Sequence, residues 1–96
     1  MTITEGQIIA FLESLPPDET INTSCSTTSV IARLAISMGY KHAMTGYYKV
    51  IVWDKEDNES VLCIARSYSR WNVKNKGTFT VQEILDSYSD WLDQEK

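Results

Sequence analysis

The residues of this sequence with the strongest potential for covalent chemistry surround Cys25, which lies in the hydroxyl-rich stretch NTSCSTTS. A cysteine near a helix N-terminus has a lowered thiol pKa, and neighbouring hydroxyls could stabilise an oxyanion. His42, the single histidine, would have to act as the base, with an acid such as Asp54 orienting it. Only the presence of these residue types supports that arrangement. A polar cysteine near a helix cap is therefore the favoured interpretation, and a cysteine-dependent enzyme is an alternative.

The same stretch, Asn22 to Ser29, is a candidate anion cradle, because free backbone N–H groups at the start of a helix bind phosphate. It lacks the glycines and the lysine of a phosphate-binding loop. Capping of the following helix by Ser24, Ser26 or Thr27 is therefore the favoured interpretation.

The two cysteines, Cys25 and Cys63, do not have the close spacing in the sequence that is typical of metal ligands, so they do not indicate a metal site. With one histidine, a structural zinc site would also need carboxylate ligands. We expect both cysteines to be reduced thiols, and the sequence leaves a disulfide between them open. The sequence thus predicts no metal, no cofactor and no catalytic residue.

A candidate binding site is the segment RSYSRWNVKNKG at positions 66–77, in which basic and aromatic residues alternate. Such a segment can pair with phosphates while its rings stack on bases. It can equally bind an acidic protein surface, because Arg, Tyr and Trp are frequent in interface hot spots. Part of the segment should be structural, with Trp71 packed on a helix or on the sheet. The residues predicted to contact a partner are Arg66, Tyr68, Arg70, Trp71, Lys74 and Lys76.

A second candidate surface is the acidic face of a C-terminal amphipathic helix. Thr80 and Glu83 form a capping box at its start. Its apolar residues recur with helical spacing at Val81, Ile84, Leu85, Tyr88, Trp91 and Leu92. The other face carries acids that could dock on a basic partner, although a solvated face is the more common explanation. The acids on this face are Glu83, Asp86, Asp90 and Asp93, with Glu95 beyond them, and those predicted to contact a partner are Asp86, Asp90 and Asp93.

The apolar block from Tyr47 to Ala65 should form the platform that positions these residues. Two runs rich in β-branched and aromatic residues, about 47–54 and 60–67, flank the connection DKEDNES, which indicates a β-hairpin. Residues 40–46 are either a connection or a short edge strand, and Thr78 with Phe79 could add a short third strand.

Two helices are predicted before the hairpin. The first, roughly 5–14, begins at a capping box of Thr4 and Gln7 and ends before Pro16. The second, about 28–38, is apolar nearly all round and ends before Gly39, so it should be the most buried helix.

We therefore predict a single α+β domain over residues 1–96. A small antiparallel sheet packs against two N-terminal helices and one C-terminal amphipathic helix. A winged helix is the nearest DNA-binding alternative. It fits poorly, because a recognition helix should be basic and polar whereas the second predicted helix is apolar.

The composition narrows the classes of function. The net charge is −4, which argues against a protein that coats nucleic acid without sequence preference. There is no run of eighteen apolar residues, and the opening MTITEGQ has no basic segment typical of a signal peptide. We therefore expect a cytoplasmic protein without a membrane partner.

The function favoured by these features is a small, acidic, non-enzymatic protein-interaction module, an inhibitor or adaptor that occupies a surface on another protein or protein complex. Such a chain would suit a phage or another mobile element that inhibits a host defence enzyme. The first alternative is a nucleic-acid-binding protein that uses residues 66–76. The second is the enzyme centred on Cys25.

Overall fold

The elements of the fold are given by a computed structural model that describes residues 1–94, so Glu95 of the predicted acidic face lies outside the described residues. Within this range the helices are α1 (Glu5–Glu13), α2 (Val30–Ser37), α3 (Arg66–Lys74) and α4 (Val81–Gln94). The strands are β1 (Thr2–Ile3), β2 (Thr20–Asn22), β3 (His42–Thr45), β4 (Lys49–Trp53), β5 (Glu59–Ile64) and β6 (Thr78–Thr80). The α+β class predicted from the sequence is confirmed.

The main sheet has the strand order β1-β5-β4-β3. Its centre is the predicted hairpin of β4 and β5, and residues 42–45 form the edge strand β3, which is antiparallel to β4. At the other edge β1 lies parallel to β5, with Thr2 opposite Cys63 and Ile3 opposite Ile64. The prediction of a purely antiparallel sheet is therefore wrong, because the first residues of the chain add a parallel strand.

A second sheet joins β2 and β6 in an antiparallel pair. Thr78 and Phe79 do form a strand, as predicted, but it pairs with β2 and not with the hairpin. The Thr23 side chain, buried just after β2, reinforces this junction. Its Oγ1 accepts a hydrogen bond from the Gly77 N–H at 3.0 Å and lies 3.0 Å from the carbonyl oxygens of Asn75 and Gly77. This hydroxyl therefore ties the end of α3 to the start of β6.

The hydrophobic core lies on one face of the main sheet. Val50 and Val52 of β4 and Leu62 and Ile64 of β5 are buried there, in agreement with the predicted alternation. Helix α2 packs on β3 and β4, and α1 contacts α2 and α4. Burial of each such aliphatic side chain contributes roughly 1.5–3 kcal/mol. No helix or strand among residues 1–94 covers the other face, where Val61 is 52% exposed.

The helices at the two ends of the chain follow their sequence signals. Thr4 and Gln7 form the predicted capping box of α1. At the start of α4 the Thr80 N–H donates to Glu83 Oε1 at 2.9 Å, and the Glu83 N–H donates to Thr80 Oγ1 at 3.1 Å. Both capping predictions are confirmed.

The cap of α2 differs from the prediction. Ser29 caps this helix, and its hydroxyl accepts a hydrogen bond from the Ala32 N–H. Ser24, Ser26 and Thr27 instead lie in the preceding turns. Helix α2 is shorter than predicted by two residues at its start, because the polar stretch bonds locally before the helix begins.

The prediction of three helices is also wrong, because residues 66–74 form α3. Ala65, at the N-cap position, has no polar side chain to mark the start of this helix. Tyr68 and Trp71 are the only large apolar side chains on its buried face. Two residues are too few to show the helical spacing of apolar residues in the sequence. Helix α3 packs against α4, so it is held by tertiary contact more than by local signals.

Replacement of Thr23 by valine tests whether the Thr23 hydroxyl stabilises the contact between the end of β2 and the segment that leads into β6. Thr23→Val keeps the shape but leaves the Gly77 N–H without its hydroxyl acceptor, so we expect a loss of about 1–3 kcal/mol in the free energy of unfolding. Urea denaturation measures it. Thr20→Val, an exposed position in the same segment, is the control and should change stability by less than about 0.5 kcal/mol. Equal effects of the two substitutions would contradict this role for the Thr23 hydroxyl.

Candidate functional site

Three aromatic rings set the orientation of α3. The ring centroid of Tyr68 lies 5.4 Å from those of Trp71 and Tyr88, and Trp71 lies 6.0 Å from Tyr88. Trp71 Nε1 also donates to Ser87 Oγ at 3.1 Å. Tyr68 and Trp71 are each 1% exposed, so they cannot offer their rings to a partner in this fold. The expectation that they stand beside the basic residues at the surface is corrected, while the expected packing of Trp71 on a helix is confirmed.

The basic residues of α3 lie on its solvent side. Arg66, Arg70 and Lys74 are spaced four residues apart, which puts them in one stripe, and all three are exposed. Lys76 follows the helix and is exposed as well. A role for these four cations in partner binding stays a prediction.

Other aromatic residues stand beside two of these cations. Tyr47 and Tyr48, in the turn between β3 and β4, form a T-shaped pair with ring centroids 4.9 Å apart. Tyr47 is 66% exposed. Together with Val73 they line a groove that we call the basic groove, which consists of Tyr47, Tyr48, Arg70, Val73, Lys74 and Trp91. The basic-aromatic surface therefore exists, but its rings come from distant parts of the chain.

The turn that presents the tyrosines is strained. Tyr48 has φ of 59°, a left-handed conformation that is costly for a residue with a bulky side chain. The Ile64 N–H donates to the Tyr48 carbonyl at 2.9 Å, and the Gly46 N–H donates to the Lys49 carbonyl at 2.8 Å. These bonds hold the turn in place. Strain of this kind is concentrated at functional sites.

A second groove lies on the other side of Trp91. We call it the acidic groove, and it is lined by Asn75, Phe79, Glu83, Asp86, Ser87, Asp90, Trp91 and Gln94. Asp86 and Asp90 thus border a concave surface, and Asp86 accepts a hydrogen bond from Gln82. Asp93 is exposed on the same helix but does not line this groove. Trp91 therefore separates a basic surface from an acidic one.

A cavity of about 200 Å³ adjoins the basic groove, and the two share Tyr47, Tyr48 and Val73. We call it the hydroxyl pocket, because most of its polar lining consists of hydroxyl side chains. Its lining is Thr23, Ser24, Ser26, Ser29, Ile31, Thr45, Gly46, Tyr47, Tyr48, Ile64, Tyr68, Ser69, Asn72, Val73 and Lys76. Helix α3 contributes Tyr68, Ser69 and Asn72 to this lining, since residues 68, 69 and 72 share one helical face.

Three buried polar atoms of this pocket have no hydrogen-bond partner in the described part of the chain. They are the Tyr68 hydroxyl, Ser69 Oγ and Asn72 Oδ1. Burial raises the pKa of Tyr68 far above its usual range, so this hydroxyl keeps its proton at any physiological pH. By contrast, the Tyr88 hydroxyl lies 2.9 Å from Ser67 Oγ, and burial raises its pKa to about 12.

Cys25 lies at the edge of this region and is partly exposed. Hydrogen bonds from Thr28, which has the larger effect, and from Thr27 lower the pKa of its thiol to about 7. His42 is three residues along β3 from Thr45, whose N–H donates to the Ser26 carbonyl. That separation is about 10 Å of strand. The His42 ring instead lies beside Trp53, with centroids 5.1 Å apart, so the structure does not bring the proposed base to the thiol.

Asp54, the acid assigned to orient His42, organises the loop between β4 and β5. Its carboxylate accepts hydrogen bonds from the backbone N–H groups of Asn58 and Glu56, both at 2.9 Å. These bonds lower the pKa of the Asp54 carboxyl, and the bond from the Asn58 backbone N–H has the largest effect. Both cysteines are free, and Cys63 is exposed on β5.

Residues 1–94 contain no cluster of three or more His, Cys, Asp or Glu side chains that could hold a metal ion. No helix in this range is long and apolar enough to cross a membrane.

Several residues of these surfaces are not marked by the sequence as parts of a site. Tyr47 and Tyr48 were assigned to a strand, although the preceding Gly46 could have indicated a turn. Ser69 and Asn72 carry no signal in the sequence, because no helix is predicted between the second strand and residue 77. A helical assignment would have placed them beside Tyr68 on one face.

Comparison with protein-family models, with curated proteins and with solved structures finds no match to this chain. The candidate site is therefore defined by its geometry alone.

Replacement of Tyr68 by phenylalanine tests whether its hydroxyl is unpaired. Removing a buried polar group without a partner should raise the free energy of unfolding by about 1 kcal/mol. Tyr88→Phe is the matched control, because it removes a hydroxyl that is paired with Ser67 and should cost about 1 kcal/mol. Thermal and urea denaturation of both variants measure the difference. A loss of stability in Tyr68→Phe equal to that in Tyr88→Phe would show that the Tyr68 hydroxyl is satisfied.

Labelling of Cys25 with iodoacetamide tests its environment. In a Cys63→Ser background, the rate should rise with pH and reach half its maximum near pH 7, because the thiolate is the reactive form. Thr28→Val should move this midpoint to higher pH, since it removes the strongest of the hydrogen bonds that stabilise the thiolate. Ser24→Ala is the control and should leave the midpoint unchanged. A midpoint that does not respond to Thr28→Val would refute the assigned cause.

Proposed function

We propose that this protein is a non-enzymatic interaction module, an inhibitor or adaptor that binds a protein partner through the basic groove. The observation that carries the proposal is the exposed Tyr47–Tyr48 pair, which a strained turn holds beside Arg70 and Lys74. Exposed side chains that form one contiguous patch, as Tyr47, Tyr48 and Val73 do, mark interaction sites.

The residue types of the groove support a protein partner. Tyr, Trp and Arg are the residues most enriched among interface hot spots, and Tyr47, Trp91 and Arg70 lie in one concave surface. The Tyr48 backbone fixes the turn in advance, so little conformational entropy is lost when the tyrosines are covered. A preorganised aromatic centre beside cations therefore favours binding of an acidic protein surface.

The change of charge across Trp91 would give the complex its orientation. A partner with acids opposite Arg70 and Lys74 would need neutral or basic groups opposite Asp86 and Asp90. A rotated partner would place like charges together, which costs binding energy. The small size and net charge of −4 are consistent with an inhibitor of a host defence enzyme, carried by a phage or another mobile element.

Nucleic-acid binding is the second candidate. The exposed stripe of Arg66, Arg70 and Lys74 beside the tyrosine rings favours it, because cations and stacking platforms together bind single strands. The net charge opposes it, and Tyr68 and Trp71 are buried. We therefore place it below a protein partner.

Affinity capture from a bacterial lysate, with and without nuclease, followed by measurement on the purified pair, tests the proposal. We expect one nuclease-resistant protein at a stoichiometric ratio. Tyr47→Ala and Arg70→Ala should each weaken its binding by about 2 kcal/mol, or roughly thirtyfold. Lys55→Ala, in the exposed loop between β4 and β5, is the control and should bind like the parent protein.

Two outcomes would contradict this function. Capture that nuclease abolishes would indicate nucleic-acid binding, and the affinity should then fall steeply with salt. Capture of a protein whose affinity is unchanged by both groove substitutions would exclude the basic groove as the interface.

A further inference from the structure

The hydroxyl pocket has features of a small-molecule site that the proposed interaction function does not require. The cavity, of about 200 Å³, is lined mainly by three separate parts of the chain, which are the loop 23–29, the turn after β3 and helix α3. Convergent polar groups in a partly apolar cavity are the usual form of a ligand site.

The unpaired hydroxyls of Tyr68 and Ser69, two residues that line the pocket, are the first reason to infer a ligand. Tyr68 and Ser69 are more than nine-tenths buried and both residues line the pocket, and their buried hydroxyls have no hydrogen-bond partner in residues 1–94. A buried polar group without a partner is destabilising and rare in native proteins. Such a cost is retained where the groups bind something else.

The charge of the lining indicates the sign of the ligand. Among the described lining residues Lys76 is the one charged side chain, and there is no carboxylate. In a chain with a net charge of −4, this is a local reversal of charge. Hydroxyl donors combined with a lysine match the oxygens of a carboxylate or a phosphate.

The loop beside the pocket also carries donors that favour negative charge. Hydrogen bonds from Thr28 and Thr27, which lie in this loop but do not line the pocket, lower the pKa of the Cys25 thiol to about 7. Ser29 of the pocket is also the N-cap of α2, where the helix dipole is positive. These two features agree with the charge of the lining.

The apolar part of the lining and the volume limit the ligand further. Ile31, Ile64 and Val73 form apolar walls that a bare inorganic ion would leave unused. A 150 Å³ cavity holds one benzene, so this pocket should accept roughly ten non-hydrogen atoms or fewer. The ligand should therefore have a short carbon skeleton as well as a charged group.

We infer that the hydroxyl pocket binds a small organic anion, a carboxylate or phosphate monoester, with Tyr68 and Ser69 as donors at its base and Lys76 at its charged side. The binding needs no partner protein, so it can be tested on the isolated chain.

Titration of the ¹⁵N-labelled full chain, followed by NMR chemical-shift changes, provides the test. The probes are glycerate, benzoate and glycerol 3-phosphate, with glycerol and benzyl alcohol as their neutral counterparts. We expect at least one anion to bind roughly tenfold or more tightly than its neutral counterpart, which a charge-assisted bond supplies. Shifts should centre on the loop 23–29 and on residues 68–76. The carboxylate and phosphate probes show which charged group is preferred.

Variants separate a site from a general charge effect. Tyr68→Phe and Lys76→Met should each weaken binding by roughly tenfold, the effect of losing one strong hydrogen bond. Tyr88→Phe and Lys55→Met are the controls, one a buried tyrosine outside the pocket and the other an exposed lysine outside it. Equal binding of anions and neutral counterparts, no shifts with any probe, or equal effects of Lys76→Met and Lys55→Met would each overturn the inference.

Discussion

The packing of Tyr68 and Trp71 of α3 against Tyr88 of α4 is the constraint on which the exposed surfaces depend. Each aromatic side chain buries about 150–250 Å² and prefers tilted or edge contacts, so the cluster allows few rotations of α3. With that rotation fixed, Arg70 and Lys74 face solvent while Ser69 faces the hydroxyl pocket. One buried cluster therefore determines both the charge outside the helix and the polar groups beneath it.

The sequence predicted those helices and strands whose signals, such as a capping box or an alternation of apolar residues, lie within a few neighbouring residues. The capping boxes of α1 and α4 and the alternation of β4 and β5 are contained in short windows. The parallel strand β1 could not be predicted, because two residues are too few to show a period. The pairing of β2 with β6 joins residues that are far apart in the chain, as with Ile21 and Phe79, which are 58 positions apart, and no local signal specifies it. Helix α3 depends on a partner helix that its own sequence does not reveal.

The candidate site shows the same division. The sequence identified the cations at 66–76 and the hydroxyl-rich stretch, because residue type alone suggests their chemistry. It assigned the wrong rings to the cations, because adjacency in the chain does not say which side of a helix is buried. Tyr47 and Tyr48 reach Arg70 only through the turn after β3, where Tyr48 adopts a backbone conformation that its residue type disfavours. The sequence also could not give the distance between Cys25 and His42, because this distance depends on where β3 lies relative to the loop that carries Cys25.

Both sheets join an early segment of the chain to a late one, since β1 pairs with β5 and β2 pairs with β6. The N-terminal residues leave the ribosome first, so β2 has no strand to pair with until residues 78–80 have been synthesised. Before that point α1 and α2 expose the apolar faces that the later elements cover. The nascent chain cannot build its core one element at a time, and we expect it to fold in a single late event. During synthesis, therefore, its dependence on chaperones should be greatest between the emergence of α2 and that of α4.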